Sequence, residues 1–268
     1  MDLWRAVVLG LVEGLTEFLP VSSTGHLLVT QRLLGIEASA AANTYAIAIQ
    51  GGAIAAVLVL YRQRLLQMLR GVLGRDADGL HLALALAVAF VPAAIAGLAF
   101  DELIEGYLFG PIPVAIAWAV GGVLMLAVSS RLQPGGARLG RVTLSSALLI
   151  GVCQCAALWP GVSRSLATIL GGVAVGLSLS AAVEFSFLLG LLTLGAATAY
   201  KALDSGGVML AAYGPTVVTA GFVAAWLSAM LSVTWMVNWL QHRRLAVFGW
   251  WRIGAALVVL LLVFTHRL

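Results

Sequence analysis

Charge is scarce in this sequence. Asp, Glu, Lys and Arg together make up 10% of the 268 residues, where a soluble domain carries about 25%. A chain so poor in charge cannot present a wettable surface, which excludes an ordinary soluble enzyme and makes lipid its solvent. Lysine is scarcer still: Lys201 stands alone beside 14 arginines. A net charge of +4 in a soluble protein would suggest nucleic acid. Here the arginines fall in short stretches between apolar runs, so they read as topology signals and nucleic acid is excluded as a partner. Cysteine is limited to Cys153 and Cys155. A disulfide between such near neighbours would strain the backbone, and no zinc spacing is present, so both read as small buried hydrophobes. Long polar linkers are absent, which suits one domain. The first apolar stretch contains Glu13 and Glu17, unlike the acid-free core of a cleavable signal peptide, so the N-terminus is expected to be mature.

What is abundant is apolar sequence: 62% hydrophobic residues and a mean hydropathy of +1.04. A helix needs about 20 apolar residues to cross the hydrocarbon. Six runs satisfy this, at about 43–61, 81–100, 111–130, 182–203, 213–240 and 247–266. Two further stretches, about 3–34 and 143–176, are apolar but broken. The first breaks at Phe18-Leu19-Pro20 and the second at Trp159-Pro160-Gly161, and hydroxyl clusters follow each break: Ser22-Ser23-Thr24 and Ser163-Arg164-Ser165. Broken helices at membrane depth are tolerated where they are buried in protein or face a cavity. Both stretches are therefore expected to be re-entrant helical hairpins. The fold expected is all-α and integral to the membrane, with six transmembrane helices and two such hairpins.

Loop charges agree with this count. Arg62, Arg64, Arg70 and Arg75 follow the first span, Arg131, Arg138 and Arg141 the third, and Arg243 and Arg244 the fifth. The alternate loops carry Asp101, Glu102 and Glu105, then Lys201 and Asp204. The positive-inside rule puts the arginine loops in the cytoplasm. The first hairpin then enters from outside and the second from inside, so halves of about 1–141 and 142–268 form an inverted repeat, an arrangement that places a site near the midplane. A shift of 141 residues lays Gly10-Leu11-Val12-Glu13 on Gly151-Val152-Cys153-Gln154, and Ser22-Ser23-Thr24 on Ser163-Arg164-Ser165.

The residues that carry chemistry cluster at the two breaks. Glu13 and Glu17 are four apart and share a helix face. Two carboxylates this close need a counter-charge, for which a divalent cation or an arginine is the remedy. Ser22, Ser23, Thr24 and His26 follow Pro20 in a tight turn, and His26 is a candidate for proton transfer or attack on phosphorus. Arg164 needs an anion, and its planar fork suits phosphate; Ser163, Ser165 and Thr168 surround it. An internal bridge from Arg164 to Glu13, Glu17 or Glu184 is the bland alternative. Glu184 is expected to serve its helix dipole. Gln50 and Gln154 either bind substrate or lock helices. Arg252 is either an interfacial snorkeller or a second anion contact. His81, His242 and His266 are read as interfacial, and the glycine pairs 51–52, 121–122 and 171–172 as close helix packing. A cation site beside an arginine–hydroxyl phosphate site suits hydrolysis of a phosphorylated lipid. The rival reading is a transporter or flippase, since inverted repeats with broken helices are common among transporters.

The same residues resemble the undecaprenyl-diphosphate phosphatase family, known for bacitracin resistance. Leu11 through Leu27 (LVEGLTEFLPVSSTGHL) is similar to its first signature, and Trp159 through Thr168 (WPGVSRSLAT) to its second. Ile49-Gln50, Glu184 through Leu189 and Arg252 match as well. The resemblance implies an inverted-repeat fold with re-entrant hairpins in the bacterial inner membrane, and since the first hairpin enters from outside, the site is expected to face the periplasm. It implies cation-dependent hydrolysis, with Mg²⁺ or Ca²⁺, of undecaprenyl diphosphate to the monophosphate, which recycles the carrier lipid for peptidoglycan. Glu13 and Glu17 would bind the cation. Glu17, Ser23, His26 and Arg164 would be catalytic, and Ser22, Thr24, Gln154, Ser163, Ser165 and Thr168 would bind substrate. The expected partners are a polyprenyl diphosphate and the bilayer, and a homodimer is compatible with both. Leu166, Leu179 and Gly190 depart from the family pattern. A tail groove narrowed beside Leu166 would fit a paralogue acting on another polyprenyl phosphate.

Overall fold

The computed structural model of the chain describes residues 1–131, 135–242 and 245–266. Arg243 and Arg244 lie outside the described residues, as do the side chains of Asp101, Glu102, Glu105, Arg131 and His242. Ten α-helices occur among the described residues: α1 (Leu3–Thr16), α2 (Ser23–Leu33), α3 (Ala40–Leu60), α4 (Arg62–Val72), α5 (Ala77–Leu108), α6 (Pro111–Arg131), α7 (Leu144–Gln154), α8 (Arg164–Ala174), α9 (Leu179–His242) and α10 (Ala246–Phe264). A single parallel bridge between Ala137 and Leu177 is the β-type pairing among them. Helix starts follow local chemistry. Ser39 caps α3 through Ala42 N, Asp76 caps α5 through Gly79 N, and Thr143 caps α7 through Ser146 N, each satisfying an amide that the helix itself cannot.

Helices α3, α5, α6, α9 and α10 are long and apolar enough to cross a bilayer. In the span of α5 only 22% of the window is buried, so most of its apolar side chains face outward, as lipid requires. Two of the six expected spans are joined in α9. The expected loop after residue 203 does not form: Lys201 and Asp204 pair at 3.4 Å within the helix, and the chain stays helical to the break at Gly214, where φ is 75° and ψ 159°. A straight helix of 64 residues would reach about 96 Å, far beyond a bilayer. The break folds it into two limbs, and both meet α3, since Thr198 of the first and Phe222 of the second face Gly51. The stretch after α3 differs as well. Arg62, Arg64 and Arg70 are on the amphipathic helix α4 rather than in a loop, Arg75 following it, and Arg64 is bonded to Glu184 at 2.7 Å. That ion pair, rather than the helix dipole alone, accounts for Glu184.

The glycine pairs sit where helices approach closely. A Cβ on Gly10 would lie 2.2 Å from Gly221 O, one on Gly52 2.3 Å from Phe222 O, and one on Gly172 2.8 Å from the Ala182 Cβ. Helix α1 thereby lies against the second limb of α9, where Ser232 Oγ donates to Gly14 O at 2.8 Å. Cys153 is exposed rather than buried, and Cys155 half-buried. His81 bonds Val142 O at 2.6 Å, so it ties two segments together rather than only marking an interface.

Candidate functional site: two broken helices meeting at a buried ion pair

Each break ends in a serine with an unusual backbone. Helix α1 stops at Thr16, the chain turns through residues 17–21, and Ser22 (φ 73°, ψ 97°) leads into α2. Helix α7 stops at Gln154, a short 3₁₀ segment and turn follow, and Ser163 (φ 76°, ψ 117°) leads into α8. The two serines stand 141 residues apart with nearly the same dihedrals. Positive φ in a non-glycine residue is costly and persists where surrounding contacts over-determine it. Pro20 cannot continue the hydrogen-bond ladder past Thr16, and Pro160 closes off the 3₁₀ segment that ends at Leu158.

The turns bring the acid of one break to the cation of the other. Arg164 Nη2 lies 3.4 Å from Glu17 Oε1, with only 10% and 6% of the two side chains exposed. Arg164 Nη1 donates to Ser186 O at 2.9 Å, the guanidinium lies over the Phe18 ring, and Nε is buried without a partner. Its fork is therefore only partly used. Room for it is made by Gly190, whose Cβ would stand 2.5 Å from Nη1. Ser23 Oγ donates to Glu17 Oε2. Of the three bridges considered for Arg164, the one to Glu17 forms.

A cavity of about 480 Å³ opens on this pair. Its polar end is lined by Glu17, Ser22, Ser23, Thr24, Ser163 and Arg164, with Gln50 and Gln154 beside them. Its apolar end runs between α5 (Ala93, Ala94, Gly97, Leu98) and the first limb of α9 (Leu194, Ala197, Tyr200). Gln154 is buried with both amide atoms unpartnered, an orphan group that a polar ligand in the cavity would satisfy.

Other expected site residues lie off the cavity wall. Ser165 donates to Leu19 O at 2.9 Å and so joins the two breaks. Thr168 Oγ1 lies 2.9 Å from Arg164 O, to which it donates, and 2.7 Å from Ser186 Oγ, whose hydroxyl can donate to it in turn, which supports the arginine from behind. His26 packs between Trp118 and Trp251. Its Nδ1 is 2.7 Å from Ser22 O and its Nε2 accepts from Trp251 Nε1 at 3.0 Å. A carbonyl only accepts and an indole N–H only donates, so the proton sits on Nδ1 and both ring nitrogens are engaged. Leu166 is buried in the core and does not line the cavity.

Arg252 is neither a snorkeller nor an anion contact. It is fully buried and donates to Pro20 O (3.3 Å), Ala117 O (2.9 Å) and Gly161 O (2.8 Å). Ser186 lies in the stretch from Glu184 through Leu189 that carried part of the resemblance, and Gly190 stood out only as a departure from it; the places of both beside Arg164, and of Trp251 beside His26, had no signal of their own.

The donor set suits a hard cation. Glu13 is fully buried one helical turn from Glu17, and neither of its carboxylate oxygens has a partner. Among the described residues no three His, Cys, Asp or Glu stand close enough together to hold a metal ion by themselves. One or two carboxylates completed by hydroxyls, water and phosphate oxygens is the usual surrounding of Mg²⁺.

Fold and site together define a class: an all-α membrane protein with a buried carboxylate–arginine–hydroxyl centre at two broken helices. Within it, the chain belongs to the family described as Bacitracin resistance protein BacA, which it matches over residues 6–258. It is similar to the undecaprenyl-diphosphatase of Sorangium cellulosum, 50% identical over 260 residues, covering 95% of this chain and 84% of that protein. It is also similar to undecaprenyl-diphosphatase 1 of Chromobacterium violaceum, 42% identical with 96% and 95% covered. A third relative is undecaprenyl-diphosphatase 2 of Rhodospirillum rubrum, 43% identical with 96% and 93% covered.

Proposed function

We propose that this protein hydrolyses undecaprenyl diphosphate to undecaprenyl phosphate and inorganic phosphate, returning the carrier lipid to peptidoglycan and envelope polymer synthesis. The observation that carries the reading is the chain Ser23–Glu17–Arg164 on one cavity wall: a hydroxyl, its proton acceptor and a phosphate-binding fork. The names of the relatives supply the lipid.

The head group occupies the polar end, where Arg164, Ser22, Thr24, Ser163 and the Gln154 amide bind its oxygens. The prenyl tail leaves through the apolar end between α5 and α9. Ser23 Oγ attacks the terminal phosphorus as its proton passes to Glu17, and the phosphoanhydride bond breaks to release the lipid monophosphate. Water then cleaves the phosphoserine and frees phosphate. Arg164 meets the charge that builds on the phosphoryl oxygens. Glu17 and Glu13 would hold a divalent cation, Mg²⁺ or Ca²⁺, which when bound supplies neutralising charge to the diphosphate. His26 holds the turn rather than attacking, because neither ring nitrogen is free.

In the bilayer of the bacterial inner membrane, α3, α5, α6, the two limbs of α9 and α10 form six spans. Helices α1, α2, α7 and α8, at 14, 11, 11 and 11 residues, are each short of the ~20 needed to cross, so the pairs α1–α2 and α7–α8 are re-entrant. The matched serines 22 and 163 support inverted halves 1–141 and 142–268, and the arginine-rich connections favour a site open toward the periplasm.

The test is phosphate release from undecaprenyl diphosphate by purified protein in detergent, with Mg²⁺, with Ca²⁺ and with chelator. Wild type is expected to release phosphate only with cation. Glu17→Gln, Ser23→Ala and Arg164→Lys are each expected to lose at least about 100-fold in kcat/KM while eluting as folded protein. Binding of the lipid without release would sink the hydrolase and favour a transporter. Full activity of Ser23→Ala would remove Ser23 as nucleophile.

A further inference from the structure

The last helix does not touch the cavity, yet it holds both of the turns that build it. Arg252 places one guanidinium between the carbonyl of Pro20 in the first break, that of Gly161 in the second, and that of Ala117 in α6. The next residue back, Trp251, donates to His26 Nε2, and His26 Nδ1 in turn bonds Ser22 O beside the nucleophile. Two adjacent residues of α10 thus grip the first break at two points and the second at one. The pocket for the guanidinium is built for it. Gly121 leaves the space, since a Cβ there would lie 2.3 Å from Arg252 Nη2. No carboxylate among the described residues is within ion-pairing distance of Arg252. A buried cation neutralised only by carbonyls is costly, and its hydrogen bonds are directional where an ion pair's attraction is not. That geometry fixes where the carbonyls stand.

We infer that Arg252, assisted by Trp251 through His26, is the positioning device of the site: it sets the distance between the Ser23–Glu17 side, carried by the first break, and Arg164, carried by the second. This rests on the phosphatase reading for its kinetic consequence but not for its structural one. Substrate binding depends on Arg164 and the hydroxyls, which stay in place on their own helices. Turnover depends on the alignment of attacking oxygen, phosphorus and guanidinium, where a displacement of 1 Å costs about 100-fold. Loosening the clamp therefore lowers kcat and leaves KM.

The experiment uses full-length protein with Arg252→Met, Arg252→Ala, Arg252→Lys, Gly121→Ala and Trp251→Phe. Gly121→Ala is the control for folding artefacts, because it displaces the guanidinium without removing it. Expected are a fall in kcat of about tenfold or more for Arg252→Met and Gly121→Ala with KM within about threefold, an intermediate value for Arg252→Lys, and a smaller loss for Trp251→Phe. Millimolar guanidinium is expected to restore part of the kcat of Arg252→Ala, and sodium at equal concentration to restore none. The second readout is independent of catalysis. Spin labels at Leu33→Cys on α2 and Ala174→Cys on α8, in a Cys153→Ser/Cys155→Ser background, report the distance between the two breaks. It should be narrow in the parent and broad in Arg252→Met and Gly121→Ala. Parent-like kcat or a parent-like distance distribution in those two variants would overturn the clamp. If the parent protein releases no phosphate, the phosphatase reading falls and the distance distributions still decide the clamp.

Discussion

At the scale of single residues, the site depends on space as much as on charge. Arg164 can reach both Glu17 and Ser186 because residue 190 has no side chain. Gly190→Ala puts a methyl 2.5 Å from Nη1, and the guanidinium, held on both sides by its partners, must leave one of them. The expected result is a rise in KM for the diphosphate and a loss in kcat/KM of about 10- to 100-fold, with little change in the melting temperature, as steady-state kinetics and a thermal melt would check. The acids, the hydroxyls and Arg164 were legible in sequence, because a charged group in an apolar run is expensive and stands out. The role of Gly190 was not, since it stood out only as a departure from the family pattern and the space it leaves has no meaning until its neighbour is known. His26 shows the converse. Its type and place in the motif suggested attack or proton transfer, and only the Trp251 indole and the Ser22 carbonyl reveal that its nitrogens are occupied.

At the scale of elements, each half-helix begins at a serine whose backbone is strained. Positive φ costs a non-glycine residue about 1–3 kcal/mol. Ser22 makes no capping bond that would offset this, whereas Ser163 Oγ accepts from Leu166 N at 3.3 Å. Ser22→Gly is therefore expected to stabilise the protein by about 1 kcal/mol, after the entropy a glycine loses on folding. Activity should fall, because a hydroxyl leaves the cavity wall and the turn loosens. Ser163→Gly gains less, as it also gives up a cap worth about 1 kcal/mol. Chemical denaturation of the two variants side by side would show the difference, and equal shifts would refute it. The breaks themselves were readable from proline and the hydroxyls after it. The break in α9 was placed some ten residues early, at the charged pair Lys201 and Asp204. Charge alone does not end a helix, and these two residues satisfy one another three positions apart. The chain turns instead at Gly214, where φ is positive and proline follows.

At the scale of the whole molecule, the proposed topology has a direct consequence. With Cys153 and Cys155 replaced, a cysteine at the exposed position 106 in the acidic connection should react with a membrane-impermeant thiol reagent added outside intact cells. One at the exposed position 140, in the arginine-rich connection, should react only after the membrane is opened. The reverse pattern would invert the proposed orientation and put the site on the cytoplasmic side. Equal labelling from outside would rule out an odd number of crossings between the two positions, and α6 is the one span that lies there.

The sequence by itself determined that the chain lives in lipid, that its spans are helices, and that two broken stretches carry acids, hydroxyls and an arginine. Each of these follows from local rules: apolar length against bilayer thickness, proline against the helical ladder, and the rarity of charge in an apolar run. Tertiary structure alone decided which partner each polar group takes. Arg164 pairs with Glu17, 147 residues away, Glu184 with Arg64, 120 residues away, and Arg252 with carbonyls 91, 135 and 232 residues away. The physical reason is that a buried charge states its need for a partner locally, while the partner that meets it is chosen by how the helices pack.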